Sequence, residues 1–152
     1  MSCGKYIVQN VITAKPEEKV SVVLERIQRN GIRVVPVLED SGNFLGLFSV
    51  HTLLGAVLPK SVTMDHGLDN VDFAVNSSPM IAEKLTAVMN SPISGLIDGN
   101  SVTVDEQTHT LEGMRLLYRE KGPIVVIEKS TGKFFGLLTE QSMISILQST
   151  SK

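Results

Sequence analysis

The chain has 152 residues, of which 42% are hydrophobic, and a formal net charge of −2 at pH 7. A chain of this length forms one domain or two very small ones, and it buries enough surface to fold without a disulfide or a metal. The small net charge excludes long-range attraction to nucleic acid or to an anionic membrane. The single cysteine, Cys3, excludes an internal disulfide and predicts a reducing, cytoplasmic location. No stretch approaches the ~20 apolar residues that would span a membrane.

The first 58 residues predict a strand, a helix, a β-hairpin and a second helix. The segment "NVITAK" (10–15) is predicted to be extended, and in "EEKVSVVLERIQRN" (17–30) apolar residues recur at helical spacing until Gly31. The strands "RVVPVL" (33–38) and "NFLGLF" (43–48) flank a turn that contains Gly42, which favours a hairpin. Ser49 then caps a predicted helix over 50–58.

A segment of different composition follows, "PKSVTMDHGLDNVDFAVNSSPM" (59–80). Its first part is polar and acidic and predicts a loop. Ser78 followed by Pro79 is typical of a helix start, and apolar residues then recur at Ile81, Leu85 and Val88. We therefore predict a first unit over 1–60, a polar linker over 61–79, and a second unit with its leading helix over 80–152.

The second unit repeats the plan of the first. "SVTVDE" (101–106) is predicted to be extended, and "THTLEGMRLLYREKG" (108–122) predicts a helix that ends at Gly122, with an apolar stripe made of Leu111, Met114, Leu117 and Tyr118. A hairpin around Gly132 follows, and Thr139 caps a helix over 140–148. A shift of 90 positions superimposes Ile12–Val57 on Val102–Leu147 without a gap, for example Gly42 on Gly132. Self-similarity at one fixed offset predicts a duplicated β-α-β-β-α unit.

Two stretches carry a resemblance to a known family, "IRVVPVLEDSGNFLGLFSVHTLL" (32–54) and "PIVVIEKSTGKFFGLLTEQSMI" (123–144). Their strand, glycine turn, strand and hydroxyl-capped helix resemble a tandem pair of CBS (cystathionine-β-synthase) domains, a stand-alone Bateman module. The resemblance implies an α/β (α+β) fold in which two repeats with small mixed sheets pack around a pseudo-twofold axis. It also implies clefts that commonly hold adenosyl ligands, and pairing into flat homodimers.

The two helix starts are the candidate phosphate positions. A helix N-terminus presents backbone N–H groups and a positive dipole end to an anion, and Ser49 and Thr139 stand there. The resemblance implies an Asp three residues later that binds the ribose hydroxyls, but this chain has Thr52 and Ser142. A neutral hydroxyl is a weaker partner than a carboxylate by about 1–2 kcal/mol. We expect the first repeat to bind first, because Glu140 in the second repeat would repel a phosphate.

The other candidate ligand residues follow from the resemblance. The adenine positions and cleft-lining threonines are Thr13, Ile32, Val34 and Pro36 in the first repeat, and Thr103, Gly122, Ile124 and Val125 in the second. The alternative for the Val and Ile residues is an ordinary core position. Pro36 cannot donate to a strand ladder and so indicates a sheet edge. Arg33 and His51 are candidate phosphate partners, and the alternative for each is a solvated surface side chain.

Other kinds of site lack support in the sequence. The three histidines and Cys3 have no metal-ligand spacing, and the acidic cluster Asp65, His66, Asp69 and Asp72 lacks the spacing of a calcium loop. No nucleophile-elbow context is present, so we predict no enzyme and no metal site.

The predicted function is a regulatory or sensory module that binds an adenine nucleotide or another adenosyl ligand and signals to a partner protein. AMP, ADP, ATP and S-adenosylmethionine are candidate regulatory ligands, and no cofactor is required. The alternative is a ligand-free dimeric structural or interaction module. Homodimerisation is expected because Ala56 and Ile146 fall off the main apolar stripes of their helices.

Overall fold

The computed structural model describes residues 2–58 and 71–150. In these residues the strands are β1 Ile7–Val8, β2 Val34–Leu38, β3 Phe44–Ser49, β4 Thr103–Asp105, β5 Ile124–Ile127 and β6 Phe134–Leu138. The α-helices are α1 Val20–Asn30, α2 Val50–Val57, α3 Val71–Met89, α4 Thr110–Glu120 and α5 Glu140–Thr150. Short 3₁₀ turns lie at Cys3–Lys5 and Ile93–Leu96. The predicted mixed α/β class, with small sheets and helices, is confirmed. None of the helices in the described residues is long and apolar enough to cross a bilayer.

The chain divides into two compact units that are each built from several segments. The sheet unit consists of Met1–Thr13, Pro36–Gly46 and Gly99–Lys152, and the helical unit consists of Ala14–Val35 and Leu47–Asp98. These packing units each take segments from both halves of the sequence. The repeat boundaries at 60 and 80 are boundaries of sequence similarity, and they stay a prediction.

The sheet unit is organised around a four-stranded sheet in the order β1-β6-β5-β4. β6 is antiparallel to both β1 and β5, whereas β4 is parallel to β5. Helices α4 and α5 cover the sheet, and together they bury a core of Cys3, Tyr6, Leu116, Leu117, Ile124, Val126, Leu138 and Met143. Burial of each such large apolar side chain stabilises the fold by roughly 1.5–3 kcal/mol.

Residues 3–8 are held in the sheet unit by backbone hydrogen bonds. The Cys3 and Gly4 amides donate to the Thr108 and Glu106 carbonyls, and β1 pairs with β6. The Cys3 thiol is fully buried and donates to the His109 carbonyl, and burial raises its pKa. Gly113 makes room for this thiol, since a Cβ there would lie 2.5 Å from Cys3 Sγ.

Both predicted hairpins are present, and their turns have the same glycine conformation. β2 and β3 form a two-stranded sheet, and β5 pairs with β6. Gly42 (φ 96°) and Gly132 (φ 75°) lie in the left-handed region that favours glycine. The two turns share this geometry, and the strands and helices around them match at the 90-residue offset. Both observations support a duplicated structural unit. The β5–β6 pairing has a register irregularity between Val126 and Ile127.

In the helical unit, backbone hydrogen bonds join the start of α1 to the segment that follows α3. The Val20 amide donates to the Ser91 carbonyl, and the Ile93 amide donates to the Glu18 carbonyl. The predicted stripe of α1 is confirmed at Val20, Val23 and Ile27, which are buried, while Leu24 is half-buried. The helix ends at Gly31, as predicted, in a left-handed conformation with φ 62°.

Two predicted boundaries in the first half of the chain are wrong. "NVITAK" (10–15) forms none of the named strands, and the strand lies earlier, at β1. This strand forms by pairing with β6, and a partner so distant in sequence cannot be inferred from the local pattern of apolar residues. Helix α3 begins by Val71, so Ser78 is not its start and Pro79 lies inside it. A proline removes one hydrogen bond of a helix and need not end it. The rest of the predicted linker, 61–70, lies outside the described residues.

The prediction for α4 is wrong at its end and on one face. The helix ends at Lys121, which has the left-handed conformation (φ 57°), and not at Gly122. Its buried residues are Thr110, Gly113, Leu116 and Leu117. Of the predicted stripe only Leu117 is buried, because the helix faces the sheet with the side that carries Gly113, where Leu138 of β6 and the thiol of Cys3 come close.

Candidate functional site

The start of α2 is closed by a reciprocal pair of hydrogen bonds. The Thr52 amide donates to Ser49 Oγ at 3.2 Å, and the Ser49 amide donates to Thr52 Oγ1 at 3.0 Å. The Thr52 hydroxyl donates in turn to the Ser49 carbonyl at 2.8 Å. The cap predicted at Ser49 is therefore confirmed, and Thr52 has the part that Glu or Gln takes in a capping box.

The start of α5 has the same arrangement. The Ser142 amide donates to Thr139 Oγ1 at 2.9 Å, and the Thr139 amide donates to Ser142 Oγ at 3.0 Å. The Ser142 hydroxyl donates to the Thr139 carbonyl, also at 3.0 Å. The two hydroxyls at the positions where the resemblance implies Asp thus complete helix caps. A hydroxyl residue repeated at i and i+3 before an apolar run is a sequence signal from which these caps could have been predicted.

A cavity of about 410 Å³ lies beside α2 in the helical unit. It is lined by His51, Thr52, Gly55, Ala56, Gly95, Leu96, Ile97 and Asp98. A Cβ at Gly55 or Gly95 would meet no atom within 4 Å, so these two glycines leave the cavity wide. Helix geometry leaves the Val50 and His51 amides without an intrahelical acceptor, and the first turn of α2 contains no acidic residue. The cavity therefore contains the imidazole of His51 and the carboxylate of Asp98, and it adjoins a helix start without an acidic residue.

The start of α5 differs in its electrostatics. Glu140 is the first residue of the helix and places a carboxylate in its first turn. Glu140 also lines a cavity of about 320 Å³ in the sheet unit, whose other lining residues are Met114, Leu117, Tyr118, Lys121, Met143 and Ile144. This cavity is mainly apolar, with one carboxylate and one ammonium group. The cavity beside α2 also has a carboxylate, that of Asp98, but Asp98 lies outside α2, whereas Glu140 lies in the first turn of α5 itself. The start of α5 is therefore less suited to a phosphate than the start of α2.

A third cavity, of about 410 Å³, contains another candidate residue. Thr103 lines it together with Val104, Asp105, Thr108, Glu112, Leu116, Ile127 and Lys129, all in the sheet unit. Hydrogen bonds from Arg115 lower the pKa of Glu112, which is therefore ionised and already paired. The Thr108 hydroxyl accepts a hydrogen bond from the Asp105 amide at 3.2 Å. These polar groups mainly shape the turn before α4.

The remaining candidate residues differ in their accessibility. Arg33 and His51 are exposed, and Ile32, Val34, Thr13 and Gly122 are half-buried. Pro36, Ile124 and Val125 are fully buried, so their side chains occupy core positions. The structure brings His51 and Thr52 together in one cavity, next to the cap residue Ser49. Whether these residues contact a ligand stays a prediction.

In the part of the chain that the structure describes, no three His, Cys, Asp or Glu side chains gather closely enough to hold a metal ion. The members of the acidic cluster noted in the sequence, Asp65, His66, Asp69 and the side chain of Asp72, lie outside the described residues.

Comparison with known proteins identifies the fold. The model of the CBS domain family matches residues 3–59. The CBS domain-containing protein CBSX2 of Arabidopsis thaliana is 21% identical over 138 residues, which are 90% of this chain and 58% of that protein. This chain thus spans 58% of the length of the curated relative.

Two solved structures superimpose over nearly the whole chain. The crystal structure of CBSX2 in complex with AMP matches with a TM-score of 0.73 and 19% identity, covering 99% of this chain and 98% of that one. Protein MJ1225 of Methanocaldococcus jannaschii matches with a TM-score of 0.74 and 19% identity, covering 96% of this chain and 47% of that one. Residues 3–59 match the CBS domain model, and the whole chain has the fold of the solved CBS-pair protein CBSX2, in agreement with the resemblance seen in the sequence.

Proposed function

We propose that this chain is a regulatory module that binds an adenine nucleotide or another adenosyl ligand and signals its presence to a partner protein. The observation that carries the proposal is the shared fold with CBSX2, a protein whose crystal structure contains AMP. No segment of the chain predicts catalytic chemistry, so the module would act through binding alone. The single, buried Cys3 is compatible with a reducing cytoplasm as its location.

The start of α2 is the proposed phosphate position. The Val50 and His51 amides, which have no intrahelical acceptor, and the positive end of the helix dipole favour an anion. His51 lines the adjoining cavity, and Arg33 is an exposed cation in the same unit. At the start of α5, Glu140 repels an incoming phosphate. We therefore propose that a nucleotide binds first at α2.

The hydrogen bonds that Thr52 and Ser142 form within the helix caps predict a modest affinity for a ribose. The Thr52 hydroxyl already donates its proton to the Ser49 carbonyl, so towards a ribose it can only accept a hydrogen bond. The same holds for Ser142 in the second repeat. Without a carboxylate, the charge-assisted contribution to ribose binding is missing. AMP, ADP, ATP and S-adenosylmethionine remain the proposed ligands, none of them required for folding.

Calorimetric titration with AMP of three single variants tests this assignment. We expect Ser49→Ala and Arg33→Ala to weaken AMP binding by about tenfold, the loss of one hydrogen bond to a charged group. Thr139→Ala is the matched control, because it removes the equivalent cap oxygen in the second repeat. Loss of AMP binding in Thr139→Ala, with Ser49→Ala unaffected, would reverse the assignment of the two repeats.

A second candidate function is a ligand-free dimeric scaffold. The observation that favours it is the exposure of large apolar side chains on helices of both units, among them Leu54 and Ile144, each 50% exposed. Ile146, one of the two residues expected to drive dimerisation, instead packs partly buried against the core of the sheet unit. Ala56 is also half-buried. We propose a homodimer in either case, and AMP binding distinguishes the two functions.

A further inference from the structure

In the first repeat, an ion pair joins helix α1 to the turn that precedes it. Arg26 donates to the Glu18 carboxylate at 2.6 and 3.1 Å. The Lys15 amide donates to the same carboxylate at 2.9 Å, and the Glu18 amide donates to the Lys15 carbonyl. The guanidinium of Arg26 thus lies against a carboxylate of the turn.

The second repeat has the same turn but lacks the ion pair. The Asp105 amide donates to Thr108 Oγ1 at 3.2 Å, and the Thr108 amide donates to the Asp105 carbonyl. At the 90-residue offset, however, Leu116 stands where the first repeat has Arg26, and Thr108 stands where it has Glu18. Both side chains are shorter, and both line the 410 Å³ cavity beside β4, which we call the β4 cavity. Its volume lies in the range of small-molecule sites.

One carboxylate and one ammonium group in the β4 cavity lack an ion-pair partner among the described residues. They belong to Asp105, which is half-buried, and to Lys129, which is exposed. Glu112 also lines the cavity, but its carboxylate already accepts two hydrogen bonds from Arg115, at 2.6 and 2.9 Å. The apolar part of the lining consists of Val104, Leu116 and Ile127. The cavity is therefore complementary to a small ligand that carries a cation and an anion on an apolar stem.

We propose that the β4 cavity binds a small molecule with a guanidinium and a carboxylate group, of which free arginine is the simplest. The ligand's guanidinium takes the place that corresponds to Arg26 in the first repeat and donates to the Asp105 carboxylate, since the two groups match through parallel N–H donors. The ligand's carboxylate pairs with Lys129, which would repel a ligand that carried the cation alone. This site is separate from the proposed nucleotide site, because the β4 cavity lies in the sheet unit and the cavity beside α2 lies in the helical unit.

Titrations with three related compounds, followed by ¹H–¹⁵N correlation spectra, test the proposal. L-Arginine should shift the Asp105, Thr108 and Lys129 amide signals, with a dissociation constant of about 1 mM or lower. Citrulline, whose urea group is neutral, and agmatine, which lacks the carboxylate, should each bind at least about tenfold more weakly. The proposal is wrong if arginine moves none of these signals up to about 10 mM, or if all three compounds bind equally.

Two single variants test which groups hold arginine. Asp105→Asn and Lys129→Gln each remove one charge, and each should weaken arginine binding by about tenfold, the loss of one charge-assisted hydrogen bond. Asparagine keeps a side-chain oxygen for the Gln107 amide, which donates to Asp105 Oδ1 at 2.8 Å, so the turn is preserved. Lys133→Gln, at an exposed position of the same hairpin outside the cavity, is the matched control and should change nothing. Unchanged arginine binding in either cavity variant would overturn the proposal.

The double variant Thr108→Glu/Leu116→Arg rebuilds the ion pair of the first repeat in the second. It should fill the cavity and abolish arginine binding, and a folded double variant that still binds arginine contradicts the proposal. Circular dichroism verifies the fold, and because Leu116 is buried, the two single variants decide the question if the double variant unfolds. AMP binding should be the same in all these variants, so a chain that binds arginine but not AMP contradicts only the proposed function.

Discussion

Thr110 buries a hydroxyl group that has no hydrogen-bond partner among the described residues. The residue is only 7% exposed and is the first residue of α4. Its equivalent in the first repeat is Val20, which is fully buried at the start of α1. A buried hydroxyl without a partner costs about 1–3 kcal/mol. The second repeat therefore carries a local defect that the first repeat lacks.

We predict that Thr110→Val stabilises the protein by about 1 kcal/mol, because a methyl group replaces an unpaired hydroxyl of similar size. The free energy of unfolding from urea denaturation measures the effect. Thr108→Val is the matched control, since Thr108 Oγ1 accepts a hydrogen bond from the Asp105 amide. The same substitution there should destabilise by about 1 kcal/mol. A Thr110→Val protein that is less stable than the original would show that the hydroxyl has a partner.

For single residues, the sequence was sufficient to predict features that depend only on near neighbours in the chain, such as helix caps and helix ends. The hydroxyls of Ser49 and Thr139 cap helices as expected, and Gly31 ends α1. It did not predict Lys121 in a left-handed conformation, which glycine adopts more easily. It also assigned Thr52 and Ser142 only to a ligand, although both complete caps.

Helix α1 is anchored at its N-terminal end by one ion pair. Arg26 donates from both terminal nitrogens to the carboxylate of Glu18, at 2.6 and 3.1 Å, and both side chains are 28% exposed. The Lys15 amide also donates to this carboxylate, at 2.9 Å. The hydrogen bonds from Arg26 lower the pKa of Glu18 below its usual value. The carboxylate thereby joins the segment before α1 to the helix itself.

This pair predicts a pH dependence of stability. Because the pKa of Glu18 is lowered by folding, its contribution is present above the unfolded value of about 4.3 and is lost as the pH falls through the folded value. Glu18→Gln should therefore destabilise the protein by about 1 kcal/mol at pH 7, and by much less at pH 3. Urea denaturation at the two pH values measures the difference.

Glu25→Gln is the control for this prediction. Glu25 pairs with Arg29 on the exposed face of the same helix, with side chains 66% and 74% exposed. Such a surface pair contributes about 0.5 kcal/mol or less. The prediction fails if Glu18→Gln costs no more than Glu25→Gln, or if its cost at pH 3 equals its cost at pH 7.

At the element scale, helices and hairpins with strong periodicity were predictable, but partners distant in sequence were not. The strands of both hairpins lie within one or two residues of their predicted ranges. β1 was missed because its two residues form a strand only through pairing with β6, about 130 residues away. The buried face of α4 was predicted wrongly from its apolar stripe, because the close approach of Cys3 and Leu138 to Gly113 determines which side of the helix faces the core.

At the scale of the whole molecule, the two repeats keep the same caps and turns but differ in surface charge. The first repeat has a helix start without an acid, at Val50, and the second has Glu140 there. The second repeat has an apolar cavity lined by Tyr118 and Lys121, whose counterparts in the first repeat are Gln28 and Gly31. The difference in charge is the reason why we propose nucleotide binding at the first repeat.

A titration with AMP followed by ¹H–¹⁵N correlation spectra tests the central claim, nucleotide binding at the start of α2, most directly. We expect the Val50 and His51 amide signals to shift and to saturate first, because these N–H groups face the phosphate. The Glu140 and Gln141 amides at the equivalent helix start are the internal comparison, and they should shift only at higher AMP concentration. The claim is contradicted if the Glu140 and Gln141 signals shift first, or if no amide signal moves up to about 10 mM AMP.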